Sequence, residues 1–431
     1  MDINYTNDLI QFMDESPNNF FAVAAVKKRL LEAGFHEIRL QDSWQLQKGE
    51  KYFVTKNDSA LFAFVPGEKN PAEVGFKLIC AHSDSPSFRI KPNPEMVSEG
   101  GVVRLNTEVY GGGILYTWFD RPLSAAGRVI LKTDNPLHPA SQLFDFKRPI
   151  LVIPHLAIHM NRAVNEGNPL SKQKDMMPVL TIVNEKFEKE NYLLNAIAKQ
   201  MGVEASDILD FDLTLYDYEK ASVVGLNNDF ICSGRLDDLA MVHAGLRALL
   251  DSGKCDQTKV LGIFDNEETG SGTKQGAASP VLRNIMKRII NNLGGNNEDF
   301  YRAVDRSFMI SADMAHALHP NYPEKQDPTN HPIMGKGPVI KINANQKYLT
   351  DADSSAVFKS ICQLAGVPCQ MFVNHSDIAG GSTLGNILTG QMEMRGVDMG
   401  NPMWAMHSIR ETICAKDQEY VSRAFTKFFD L

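Results

Sequence analysis

The sequence has no apolar run approaching the roughly 20 residues that a membrane-spanning helix needs, so a membrane protein is not expected. It has no Lys/Arg-rich run, and its 431 residues carry a formal net charge of -8. A nucleic-acid or anionic-membrane partner is therefore not expected either. It has no Cys-x-x-Cys pair. Its six cysteines, Cys80, Cys232, Cys255, Cys362, Cys369 and Cys414, are scattered and read as reduced thiols, which suits a cytoplasmic protein. The start, Met1-Asp2-Ile3-Asn4-Tyr5, has neither a basic segment nor an apolar core, so no signal peptide is expected there. There is no internal repeat and no low-complexity segment. What remains, 43% hydrophobic and 22% charged, is an ordinary globular composition of a length that suggests about two or three domains.

What is present begins with strand-type runs that end in polar chemistry. Phe76-Lys77-Leu78-Ile79-Cys80-Ala81 leads into His82-Ser83-Asp84. Lys259-Val260-Leu261-Gly262-Ile263-Phe264 leads into Asp265-Asn266-Glu267-Glu268, with Gly270 and Gly272 behind it. Arg306 to Ala312 reads as a strand ending in Asp313, and Gln391 to Met399 as another, followed by a loop with His407. Helical spacing appears over residues 18–33, 239–250 and 278–293, and over a C-terminal segment bearing Tyr420, Ala424, Phe425 and Phe428. Lys51–Thr55 and Ala60–Val65 flank a turn and predict a hairpin.

Residues 92–234 have a different texture. Short β-type runs, Val102–Leu105, Ile114–Phe119, Gly127–Leu131 and Leu213–Tyr216, lie between Gly, Pro and Asn, with one helical run at Tyr192–Met201. The organisation expected is a discontinuous α/β domain of residues 1–91 and 235–431, interrupted by a mostly β domain at 92–234.

Each chemical residue has a bland reading. An isolated Glu-Glu pair is usually a solvated loop. Asp237 and Asp238, ahead of an apolar helix, would ordinarily cap it. His82 alone would be a surface histidine beside a turn, with Asp84 free either to orient it or to hold the loop. Taken together they are harder to dismiss. In open α/β sheets, sites form at the carboxyl ends of the strands. His82, Asp237, Glu267, Glu268, Asp313 and His407 meeting there would give four mutually repelling carboxylates. A pair of divalent cations removes that repulsion. Mixed His/carboxylate ligation suits zinc, with cobalt or manganese as alternatives, and a two-metal hydrolytic site is a recurrent solution.

At this point the chain resembles the aspartyl aminopeptidase and aminopeptidase I family of two-zinc exopeptidases. The resemblance rests on AHSDSPSFRIKP (81–92), YGGGILYTWFDRPLSAAGRV (110–129), GLNNDFICSGRLDDLA (225–240), FDNEETGSGTKQGA (264–277), SADMAHALHPNYPEK (311–325), GKGPVIKINANQKY (335–348) and AMHSIRE (405–411). It implies a zinc-exopeptidase α/β/α catalytic domain with an inserted β-rich dimerisation domain. It further implies that His82 and Asp313 hold one metal, Glu268 and His407 the other, that Asp237 bridges them, and that Glu267 is the general base with Asp84 orienting His82. His159 is implied to reach the site of a neighbouring subunit, and His316, Lys341 and Tyr348 to contact substrate. The activity implied is removal of the N-terminal residue, Asp or Glu favoured over neutral residues, from short peptides by a bridging-water mechanism in a homododecamer built from dimers. Two other readings compete: a two-metal deacylase or carboxypeptidase on the same fold, and a non-catalytic peptide-binding scaffold that keeps the metals for stability.

Overall fold

Phe76–His82 and Thr258–Phe264 are buried along their whole length and pair in parallel, Phe264 opposite His82. Strands covered on both faces are largely apolar, and here the lysines, Lys77 and Lys259, stand second in each strand. The computed structural model describes residues 5–183 and 191–431; the start read above as lacking a signal peptide lies, apart from Tyr5, outside them. By contacts the chain divides into two units. One comprises the residues up to Asp84, Ala221–Met406 and Glu411–Leu431; the other comprises Ser85–Lys220 and His407–Arg410.

The first unit is built on a nine-stranded sheet. Its central order is Thr258–Phe264, Phe76–His82, Phe308–Ala312, Arg395–Gly400, all parallel. The hairpin Tyr52–Lys56 and Ala60–Val65 continues one side, and Val339–Ile342 with Gln370–Val373 the other. One apolar cluster covers one face with helices Asn19–Glu32, Leu236–Asp251, Ala352–Ala365 and Ala415–Asp430. A second cluster covers the other with Val281–Asn292 and Asn297–Asp305. This is the α/β/α layering of an open mixed sheet with a parallel centre. A five-stranded sheet, from Ser222–Val224 to Ala315–His316, completes the unit.

The second unit is a six-stranded antiparallel sheet in the order Ala140–Asp145, Leu123–Leu131, Ile208–Asp217, Ser87–Val97, Val102–Tyr110, Val179–Ile182. Its core gathers Phe88, Trp118, Leu123, Leu213 and the helix Tyr192–Met201. The division falls earlier than residue 92 because Ser87–Val97 runs past that point as one strand of this sheet. It also falls before Gly234, since Ser222–Val224 and Phe230–Ser233 pair within the first unit.

Two local expectations differ from the structure. Ile114–Phe119 is not a strand: Leu115–Trp118 forms a short 3-10 turn. Its Trp118 packs edge-on to Phe88 at 4.8 Å, so tertiary packing overrides β-type composition. The strand expected from Gln391 begins only at Arg395, after Gln391 and Met392 cap the helix Leu384–Thr389 through their N–H bonds to Leu388 O.

Candidate metal centre

Three neighbouring parallel strands end at one edge, and each delivers polar side chains there. His82 is the last residue of Phe76–His82, Asp313 follows Phe308–Ala312, and Glu267 and Glu268 open a 3-10 turn after Thr258–Phe264. That turn is set by left-handed residues at both ends, Asn266 at φ 62° and Gly270 at φ 95°. Gly270 suits this conformation because it carries no Cβ.

A fourth contribution comes from the helix Leu236–Asp251. Its first turn is not helical: Arg235 is left-handed, and Asp237 and Asp238 have ψ of 106° and 17°. Asp238 Oδ2 accepts the His82 backbone N–H at 3.1 Å instead of capping its own helix. Both carboxylates are buried, at 3% and 0% exposure.

The imidazole of His82 has two distinct sides. Nδ1 lies 3.1 Å from the carbonyl of Asp84 and 3.4 Å from its Oδ1. Nε2 faces Asp237 Oδ1 at 3.6 Å, Asp313 Oδ1 at 3.9 Å and Asp238 Oδ2 at 4.0 Å. Asp84 also accepts the N–H groups of Glu267 and Glu268. It therefore fixes the ring and the acidic turn together, as a group behind a metal ligand does.

One ligand atom from each of His82, Asp237, Asp238 and Asp313 lies within 4.8 Å of the others. Asp238 Oδ1 is buried with no hydrogen-bond partner. A set of one imidazole and three carboxylates, mostly shielded from water, fits a divalent cation of zinc type. Asp238 was absent from the sequence-based ligand set. Its adjacency to Asp237 was the only signal, and capping explained that equally well.

In the metal-free protein these groups share protons. Burial would depress His82, but the charge of Asp238 and hydrogen bonds to Asp237, Asp313 and Asp84 hold it well above the usual imidazole range. Burial pushes Asp238 well above a normal carboxyl. It lifts Glu267 to about 8, with His82 pulling down and Asp313, Glu268 and Asp237 pushing up.

The other predicted residues are placed as follows. Lys341 is buried, its Nζ 3.3 Å from Asp313 Oδ2 and 5.6 Å from the centre of the Tyr348 ring. Burial works against its ammonium, but the Asp313 charge keeps it above the ordinary lysine value. Tyr348 is buried beside Phe372, and exposed His316 lies edge-on to that ring at 6.0 Å. His407 belongs to the second unit, its Nδ1 3.1 Å from the carbonyl of Gly112. His159 lies on an exposed turn of the second unit. Glu411, unassigned by the sequence, accepts the Asp237 N–H at 3.0 Å and so holds the carboxylate turn from behind.

Comparison with known proteins supports the same chemistry. The family model described as aminopeptidase I zinc metalloprotease (M18) matches residues 12–429. The chain is 53% identical over 429 residues to the probable M18 family aminopeptidase 2 of Clostridium novyi, covering 100% of this chain and 99% of that one. It is 42% identical over 423 residues to the protein of the same description from Pseudomonas aeruginosa, covering 98% and 97%. Among solved structures, prApe1 matches with a TM-score of 0.93 at 27% identity, covering 99% of this chain and 93% of that one. The mApe1 dodecamer of yeast matches with a TM-score of 0.86 at 26% identity, covering 99% and 96%. The chain belongs to the M18 family of aminopeptidases, zinc metallopeptidases of the aminopeptidase I and aspartyl aminopeptidase type.

Proposed function

We propose that the protein removes single N-terminal residues, Asp or Glu in preference to neutral ones, from short peptides, with Glu267 as its proton carrier. The observation that carries this reading is the position of Glu267. It opens the turn after the central strand, its backbone N–H is held by Asp84, and its carboxyl lies among the charges of His82, Asp313, Glu268 and Asp237. A carboxylate fixed at that point can take a proton from an attacking water and pass it on.

His82 and Asp313 are the residues that would hold one cation, and Glu268 and His407 the other, with Asp237 shared; Asp238 would support the first from within the same cluster. When bound, a pair of cations, zinc by the family's description, supplies carbonyl polarisation and a water acidified to a pKa of about 7. Glu267 takes the proton of the attacking water on a carboxylate oxygen and delivers it to the leaving amine nitrogen. Asp84 keeps His82 and the Glu267 turn in register. Lys341, Tyr348 and His316 form the side on which an N-terminal side chain would be read, and the Lys341 ammonium is the group suited to an acidic one.

We further propose a cytoplasmic homododecamer assembled from dimers through the second unit, with His159 reaching a neighbouring subunit's site to steady the developing oxyanion. The related mApe1 structure is a dodecamer. In this chain Leu156, Ile158 and Met160 around His159 are 51%, 48% and 75% exposed, apolar surface of the kind that a subunit contact covers.

The test is Glu267→Gln. The amide matches the carboxylate in size and cannot carry the proton. Turnover of aminoacyl chromogenic substrates should fall about 100- to 10,000-fold, with metal content by elemental analysis unchanged. Normal turnover at normal metal content overturns the assignment.

A further inference from the structure

The strand Arg395–Gly400 lies beside the one that leads to Asp313, with Asp398 opposite Ser311. Asp398 is 0% exposed. A buried carboxylate is costly unless hydrogen bonds replace its water, so its partners show what it serves. Oδ2 accepts the Leu349 N–H at 2.6 Å, and Oδ1 accepts the Thr383 hydroxyl at 2.7 Å. The Asp398 N–H donates to Thr350 Oγ1 at 2.9 Å. None of these three partners belongs to the sheet. Leu349 and Thr350 lie at the end of the loop that follows Val339–Ile342, and Thr383 stands just before the helix Leu384–Thr389.

Leu349 is also gripped by its side chain. A Cβ on Gly385 or Gly396 would collide with its methyl groups, so glycine at both positions leaves the space that Leu349 fills. The residue before it, Tyr348, is buried, and its ring centre lies 5.6 Å from Lys341 Nζ. Between Lys341 and Tyr348 the chain passes through exposed residues 344–347. Lys341 is fixed by its strand; Tyr348 is fixed at the returning end of the loop, where Asp398 makes its bonds. The two strands pair as far as Ile340 opposite Met399, so Lys341 and Asp398 are the next residues along each.

We propose that Asp398 is a positioning residue for peptide hydrolysis: through Leu349 and Thr350 it holds Tyr348 beside Lys341 and so sets the affinity for substrate. The inference rests on the reading of Lys341 and Tyr348 as part of the wall that meets the N-terminal residue. Asp398 acts from behind that wall, one contact removed. A wall held the same way in the ground and transition states contributes to KM and not to kcat. The ordinary alternative is a carboxylate that serves folding alone, whose loss would lower the melting temperature and leave KM where it was.

The experiment uses the full-length metal-loaded protein and initial rates on the aminoacyl chromogenic substrate that it cleaves fastest. Asp398→Ala removes both acceptor oxygens; KM should rise about tenfold, with kcat within about threefold. Asp398→Asn should recover most of that loss, because its oxygen can still take the Leu349 N–H while its NH2 donates to the Thr383 hydroxyl. Tyr348→Ala should raise KM by a similar factor. Adding Asp398→Ala to it should raise KM less than about twofold further, because two residues acting through one contact are not additive. Should Asp398→Ala not fold, Thr350→Val cuts the bond from the Asp398 N–H with the side-chain shape kept. A KM rise of about threefold, absent in the Tyr348→Ala background, is then expected. The proposal alone is overturned if Tyr348→Ala raises KM while Asp398→Ala, folded and metal-loaded, keeps the wild-type value. It is also overturned if the effect of Asp398→Ala persists in full without Tyr348. If Tyr348→Ala leaves KM unchanged, the reading of Tyr348 as a substrate contact fails, and the proposal falls with it.

Discussion

The backbone N–H of Glu267 donates to Oδ1 of Asp84 at 3.1 Å. The second oxygen of Asp84 takes the N–H of Glu268 at the same distance, and its own carbonyl faces His82 Nδ1. One side chain thus binds the end of Phe76–His82 to the turn after Thr258–Phe264. Asp84→Asn keeps the shape and one acceptor oxygen but turns an NH2 group toward one of the two N–H donors. Metal affinity should fall about 10- to 100-fold, measured by competition with a chelator of known affinity. An unchanged affinity would leave Asp84 as a loop-holding residue alone.

Proton sharing in the cluster makes a pH prediction with a definite sign. Glu267 rises from 4.5 to about 8 on burial in the metal-free protein. Between those values the native state holds a proton that the unfolded chain has lost, so the native state binds more protons and stability falls as pH rises. His82, raised above its ordinary value, adds stability below the unfolded imidazole pKa that is lost as pH climbs through its folded one. Melting temperature of the chelated protein should therefore drop across this range. Metal loading displaces the protons and should flatten the profile, apparent affinity rising about tenfold per pH unit for each proton released. A melting temperature of the chelated protein that does not change with pH would contradict the assignment.

The scaffold of the site was legible because its signals are local. Runs such as Leu78–Ala81 and Val260–Phe264 are apolar without interruption, and the chemistry sits in the next few residues, so strand ends and site residues could be read together. What stayed hidden depends on contacts distant in sequence. Asp238 looked like a helix cap because nothing in Arg235-Leu236-Asp237-Asp238 reveals that the first turn unwinds to meet the His82 N–H. Glu411 supports Asp237 from far along the chain. Lys341 enters only through the family resemblance as a substrate contact, and nothing local shows that it is buried against Asp313. Ile114–Phe119 misled in the opposite direction, its β-type residues serving a turn that packs Trp118 on Phe88.

The Lys341–Asp313 pair separates substrate recognition from support of the cluster. If the ammonium also receives an acidic substrate side chain, Lys341→Met should lower kcat/KM for Asp and Glu substrates by about 100-fold, the scale of about 3 kcal/mol for a lost buried charge partner. The loss for Leu or Ala substrates should stay within about tenfold. Initial rates across that panel decide it. An equal fall on every substrate would assign Lys341 to Asp313 alone and remove the ground for an acidic preference.

A residue acting across a subunit contact has a signature that no internal role shares. His159 lies on an exposed turn beside Ile158 and Met160, and in a symmetric assembly each copy can lend that turn to a neighbour. His159→Ala and Glu267→Gln should each be nearly inactive alone. Dissociated, mixed and reassembled, the two variants should regain turnover, because some sites then join an intact Glu267 of one copy to an intact His159 of another. Regained turnover should rise with subunit exchange and vanish when the variants are mixed without dissociation. If no mixture recovers activity although mixed oligomers form, His159 acts within its own chain or only in folding, and the trans assignment fails.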